Sequence, residues 1–185
     1  MNDELIDILN KDGSFQKTAL KSEAHKYGWL HASVHIWFYT SDGNLLFQKR
    51  SPTKKVFPNM WDVSVAGHIG AGESAQTSAV REVMEEIGLE ITAPELNFIA
   101  SYKEHHTYNE NIIDNEIHHT YICELKFPIS NLILQTEEVV AIKLISINDF
   151  EQQLTRQNIS DFVPHDIDYY LLVIEAIKNN LKINS

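Results

Sequence analysis

Glu82, Glu85 and Glu86 lie close enough in the chain to act together. On a helix turning about 100° per residue they share one face about 100° wide. Ala79, Val80, Val83, Met84 and Ile87 fall on the other side of the same wheel, which predicts a core-facing stripe opposite a carboxylate cluster. Like charges at this spacing destabilise a helix by a few tenths of a kcal/mol per pair, so the cluster calls for a counter-charge. Hard oxygen ligands gathered on one face suit Mg2+ or Mn2+, and a plain solvated acidic face has the same pattern.

Nine histidines are also present, seven of them in three stretches: His25, His31 and His35; His105 and His106; His118 and His119. Asp114 and Glu116 stand two apart on a predicted strand, so both project from one face, and His118 extends that row. Lys49, Arg50, Lys54 and Lys55 form a basic stretch. Arginine grips phosphate through parallel hydrogen bonds and lysine acts as a mobile point charge. Trp37, Phe57, Trp61, Tyr102 and Tyr108 are aromatic candidates for covering a base or a thiazole ring, or for the core.

The elements that must position these groups follow from periodicity. LIDIL, a turn at Asn10 to Gly13 and a strand from Phe15 read as an opening hairpin. His31 to Tyr39 alternates as a strand, with Ala32, Val34, Ile36 and Phe38 on an apolar face and His31, Ser33, His35 and Trp37 on a polar one. SDGN turns into LLFQKR, a Pro-marked loop spans Ser51 to Met60, and a short strand runs through Trp61 to Ala66. A helix over Ser74 to Ile87 stops at Gly88. Strands at Leu96 to Tyr102, Ile113 to Lys126 and Val139 to Leu144 precede helices at Ile147 to Leu154 and His165 to Leu181. No repeat or linker divides the 185 residues, so the expectation is one domain over 1–185, an α/β/α sandwich with a mixed sheet and C-terminal helices.

Composition narrows the function classes. With 43% apolar residues the chain can bury a full core, and the single Cys123 forms no intramolecular disulfide. A formal charge of -11 repels polyphosphate backbones, which argues against nucleic-acid polymers and membrane surfaces as partners, whereas a small phosphorylated substrate is accessible if a divalent cation supplies positive charge. The apolar runs are short and the acidic start MNDELIDI has no basic signal region, so the expectation is a cytoplasmic protein. Oligomeric state, a homodimer included, stays open.

The stretch in front of and through the helix, GHIGAGESAQTSAVREVMEEIGL, places Gly67, Glu73, Arg81, Glu82, Glu85, Glu86 and Gly88 at the spacing of the Nudix box (67–89). The chain therefore resembles Nudix hydrolases. That resemblance implies a loop-helix-loop that binds Mg2+ or Mn2+ and cleaves a phosphoanhydride in a small diphosphate joined to another group. It implies Glu82, Glu85 and Glu86 as metal ligands helped by the Gly67 carbonyl, Arg81 as the group orienting the carboxylates, and Glu73 as support for the loop. The general base is not fixed by this resemblance.

WLHASVHIW, KRSPTKKVFPNMWDVSVAGH and IIDNEI also resemble type I isopentenyl-diphosphate isomerases and the Nudix hydrolases closest to them. In those isomerases a metal sits among three histidines and two carboxylates. The matching positions here are His25, His31, His68, Asp114 and Glu116, which implies a second metal site or a pocket without metal. The segment with Arg50, Lys54 and Lys55 matches the one that helps hold diphosphate. Isomerase chemistry is where the pattern departs, because the proton-transferring cysteine position is Ala66, which can neither give nor take a proton. Cys123 falls on another strand with parity opposite to Glu116. An intact box likewise opposes a third reading, a non-catalytic ligand-sensing module. Substrate identity, whether nucleotide, sugar nucleotide, prenyl or thiamine diphosphate, stays open. Purified protein given isopentenyl diphosphate with Mg2+ and Mn2+ is expected to yield no dimethylallyl diphosphate; turnover to that product, followed by mass, would mean that another residue replaces the cysteine.

Overall fold

The computed structural model describes residues 3–110 and 112–183. Everything is arranged around β3 (His31–Tyr39), one of nine strands among the described residues that form a single mixed sheet. Along one edge β3 pairs in parallel with β8 (Ile112–Glu124), from His31↔Glu116 to Tyr39↔Glu124. Its other edge is divided. β1 (Leu5–Leu9) meets it at His31, β6 (Val65–His68) pairs from Ser33↔His68 to Ile36↔Val65, and β4 (Asn44–Arg50) joins only at Tyr39↔Leu45. β4 then continues beside β9 (Val139–Ser146) and β5 (Trp61–Asp62).

The chain between β5 and β6 explains why the expected single strand at Trp61 to Ala66 is two. It pairs with β4 through Asp62, crosses at Val63 and Ser64, and pairs with β3 from Val65. The Ser64 hydroxyl fastens the crossing by accepting from the Phe38 amide and donating to the Leu46 carbonyl. The sheet therefore forks between β6 and β4.

The alternation expected on β3 is present. Val34, Ile36 and Phe38 pack with Ala79, Val83 and Ile87 of α2 (Ala75–Ile87). Trp37 and Tyr39 pack with Phe150 of α3 (Ile147–Thr155) and Tyr170 and Val173 of α4 (Ile167–Ile183). Helices thus cover both faces, giving the layered α/β architecture. The face read as polar is nevertheless buried, with His35 and Trp37 under Tyr169 of α4, His31 against His25, and Ser33 bonded to His118.

Several boundaries move. α1 (Lys21–Tyr27) follows β2 (Phe15–Leu20) and has no counterpart in the sequence reading, because seven residues are too few to display a helical period. It ends on Gly28 at φ 62°, a left-handed conformation that glycine adopts without penalty. Met84, expected in the core stripe, is 47% exposed because it sits at the edge of the helix contact. β7 (Asn97–Asn109) runs well past Tyr102, its polar residues continuing the backbone ladder with β8 while alternate side chains stay exposed. The last helix starts at Ile167, leaving His165 in the segment before it. No helix among the described residues is long and apolar enough to cross a membrane.

Candidate active site

α2 opens on Ser74, whose hydroxyl accepts from the Thr77 amide, and closes on Gly88, whose amide donates to the Met84 carbonyl. These caps set its rotation, which turns Glu82 and Glu86 inward while Glu85 keeps about half its side chain in solvent. Glu82 lies against Gly67, where a Cβ would meet the Glu82 carboxyl carbon at 2.0 Å, so only glycine permits this approach. Arg81 supplies the counter-charge expected from the sequence. Its Nη1 donates to Glu82 at 2.7 Å and Glu85 at 3.2 Å, and its Nη2 to Glu73 and the His68 carbonyl, both at 3.2 Å. Ser78 completes the clasp by donating to Glu73, whose carboxyl is held below its ordinary range chiefly by that bond.

Glu86 occupies the fork of the sheet. One of its oxygens accepts from the Gln48 amide on β4 at 3.2 Å and from the Ala66 amide on β6 at 3.4 Å. No full positive charge bonds to it among the described residues, and burial together with the Glu82 charge pushes its carboxyl up to about 8. Burial also raises Glu82, against the opposing pull of Arg81. Two carboxylates one turn apart, buried, with a single guanidinium bonded to one of them, leave a deficit of positive charge that a divalent cation would fill. The donor set, all carboxylate and carbonyl oxygen, fits a hard ion.

Val65 and Gly67 face α2, whereas Ala66 and His68 leave β6 on the opposite side. There the five residues matched by resemblance meet. His25 Nε2 is 3.2 Å from His68 Nε2, and His25 Nδ1 is 2.7 Å from Asp114. One oxygen of Glu116 lies 3.3 Å from His31 Nε2 and 3.4 Å from His68 Nε2. Ligand atoms of His25, His31, His68 and Glu116 all fall within 4.8 Å of one another. His25 Nδ1, His31 Nε2 and Asp114 Oδ1 are all buried, and their neighbours at ion-pair range are these same groups, His25 with Asp114 and His31 with Glu116. Mixed imidazole and carboxylate donors fit a borderline transition metal. Burial works against the Glu116 charge, but the close imidazoles of His118, His31 and His68 hold its carboxyl well below the usual range.

Comparison with known proteins identifies the family. The NUDIX domain model matches residues 29–165. The chain belongs to the Nudix family. A Nudix hydrolase of Clostridium acetobutylicum, itself uncharacterized, is 33% identical over 207 residues that cover 97% of this chain and all of the relative. An isopentenyl-diphosphate Delta-isomerase of Photorhabdus laumondii is 33% identical over 131 residues, 70% of this chain and 72% of that one. The crystal structure of a Deinococcus radiodurans protein superposes with a TM-score of 0.69 at 23% identity, covering 91% of this chain and 97% of its own, a likeness of fold. This protein is accordingly a Nudix hydrolase acting on phosphoanhydride bonds.

The basic stretch of this Nudix protein is less free than its sequence suggests. Arg50 donates to Asp62 at 2.8 Å and to the Val56 carbonyl, and Lys54 pairs with Glu138, while Lys55 is exposed. Trp37 belongs to the core, Phe57 stacks edge-on with Tyr108, Tyr102 donates to Asp166, and Trp61 lies under the Lys143 ammonium.

The reading from sequence missed a second group of buried ionisable residues below Ala66. His165 Nε2 is 3.0 Å from Asp62 and its Nδ1 is 3.2 Å from Glu104, whose carboxylate also meets His118 at 2.9 Å and His106 at 3.0 Å. His35, register partner of Ala66, stacks on His118 with ring centroids 4.0 Å apart and bonds the Tyr169 hydroxyl. Only the parity of His118 with Glu116 hinted at this group, since its members come from five separate parts of the chain. Burial opposes charge on His165 and His118, but the bonds to Asp62, Glu104 and Glu116 outweigh it and raise both to about 9. Burial and the two neighbouring imidazolium rings hold His35 well below its ordinary value.

Because the folded value of His165 lies above its ordinary 6.5, its stabilisation is complete below about pH 6.5 and disappears as pH rises through about 9. Asp62, held below its ordinary 3.8, contributes above that value and loses its contribution as pH falls further. Chemical denaturation is expected to show the protein losing a few kcal/mol between pH 6 and pH 9. The loss should be smaller in His165→Phe, part of it surviving through His118. An unchanged slope in that variant would refute the assignment.

Proposed function

We propose that this chain is a divalent-cation-dependent pyrophosphohydrolase, in which Glu82, Glu85, Glu86 and the Gly67 carbonyl hold Mg2+ or Mn2+ against the diphosphate of a small substrate. The observation that carries this reading is the buried pair Glu82 and Glu86, of which Glu82 reaches the backbone only because residue 67 is glycine and Glu86 has no full positive charge bonded to it among the described residues. When bound, such a cation neutralises the diphosphate and makes water a better nucleophile near neutral pH. The chain's own residues do the rest. Arg81 holds Glu82, Glu85 and Glu73 in one arrangement, so the carboxylates are oriented before substrate arrives. Lys54 pairs with Glu138, and the Gln135 amide of the same turn donates to the Glu86 carbonyl, which puts the 51–60 loop beside the cleft. Within the stretch of Arg50, Lys54 and Lys55 the lysines face the substrate, Lys55 being exposed, while Arg50 is bonded to Asp62 and the Val56 carbonyl and holds their loop. Nucleoside diphosphate derivatives are a natural first panel.

A second cation at His25, His31, His68 and Glu116, with Asp114 behind His25, is supported by the convergence of those donors. Imidazole is a poor partner for a hard, strongly hydrated ion, so this centre should prefer Mn2+, Fe2+ or Zn2+ to Mg2+.

Glu85→Gln and Glu86→Gln are each expected to lower kcat by a factor of about 100 or more, on the order of 3 kcal/mol of transition-state stabilisation, with the fold retained by circular dichroism. Full activity after chelation, or in the double variant, would refute the mechanism. In crystals soaked with Mn2+, anomalous density is expected among the three histidines, and its loss in His31→Ala with the box density retained would assign it. Soaks that label only the box would sink the second centre.

A further inference from the structure

The loop 51–60 carries an unusual backbone. Phe57 and Asn59 have φ of 48° and 60°, in the left-handed region that side-chain-bearing residues avoid and that persists only when surrounding structure imposes it. Arg50 is the imposing group. Its amide donates to Met60 and its carbonyl accepts from Asn59, while Nε and Nη2 both donate to the Val56 carbonyl at 3.3 and 3.2 Å. The guanidinium is in turn aimed by Asp62, whose other oxygen is bonded by His165 and by the Val63 amide. His165 is itself steadied on its far side by Glu104. The segment bearing it is tied to β5 by reciprocal bonds, Trp61 to Asp161 and Val163 to Trp61.

Buried ion pairs of this kind are weak contributors to net stability, because desolvation offsets their attraction, and their geometry is what they supply. Here the geometry has a destination, since the loop they hold carries Lys54, paired with Glu138, to the turn whose Gln135 amide donates to the Glu86 carbonyl, with Lys55 exposed beside it in the chain.

We propose that His165 is a positioning residue: through Asp62 and Arg50 it clamps the 51–60 loop in the backbone conformation that presents its lysines to the anionic end of the substrate. The substrate half of this role rests on the pyrophosphohydrolase reading above; the clamp itself does not. The C-terminal segment then acts on the binding loop without touching substrate.

Limited trypsin digestion of the folded full-length protein, read by mass spectrometry, tests the clamp. Cleavage after Lys54 and Lys55 is expected to be at least 10-fold faster in His165→Phe, which keeps a flat ring of similar size and loses both bonds, while cleavage at other sites stays unchanged. His165→Gln, which retains a donor for Asp62, should restore slow cleavage at least in part. In an Arg50→Ala background His165→Phe should add nothing, because both changes release the same tether. Unchanged loop cleavage, or equal acceleration at every site together with a lower Tm, would overturn the proposal. Should His165→Phe not fold, Asp62→Asn and His165→Gln carry the same comparison. Calorimetry with methylenediphosphonate and Mg2+ gives the second arm, where binding is expected to weaken at least 10-fold in His165→Phe and to recover in His165→Gln. A wild-type protein that binds no methylenediphosphonate would overturn the loop as an anion grip while the digestion result still decides the clamp.

Discussion

The approach of Glu82 to Gly67 is the contact on which the arrangement of the site depends. A carboxylate reaches the backbone of β6 only because no Cβ stands in the way, and that approach sets how close α2 lies to the sheet. Arg81 can then span Glu82, Glu85, Glu73 and the His68 carbonyl with one guanidinium, tying helix, loop and strand together. A methyl group at position 67 would push the helix outward and break this geometry at several points together.

The fork of the sheet adds a second constraint. Because the chain crosses from β4 to β3 at Val63 and Ser64, β6 and β4 part, and Glu86 reaches into the gap from the α2 side. The histidine and carboxylate cluster lies on the other face of β6, under Ala66 and His68. Two sets of ligand-competent groups thus flank one short strand, and its alternation sorts them: oxygen donors alone toward α2, and imidazoles with the Glu116 carboxylate on the side of α1 and β8. This separation keeps an all-oxygen donor set and a mixed imidazole and carboxylate set on opposite faces of one strand.

Below that cleft the protein buries more charge than its stability requires. Asp62, Glu104, His118 and His165 alternate acid and base in hydrogen-bond contact, each desolvated and each compensated by its neighbours. Apolar side chains of the same volume would fill this space at no greater cost in free energy. What the ionic chain provides is a rigid connection between Glu116 at one end and Arg50 at the other.

The amino-acid sequence by itself determined the box, its helix with the stop at Gly88, the alternation of β3 and the layered architecture. These depend on local spacing, on which residues recur at 3.6 or 2 positions and where glycine stands. The facing of Asp114, Glu116 and His118 was legible for the same reason. Tertiary structure alone decided that the second face of β3 is buried, that Trp61 to His68 splits across a fork, that Met84 is exposed, and that Arg50 and Lys54 already have carboxylate partners. It also decided that His165, the expected first residue of a helix, bridges Asp62 and Glu104. Such pairings join residues separated by as many as 103 positions. No periodicity spans that distance, and the free energy that holds the partners together exists only once the sheet and the last helix have excluded water from between them.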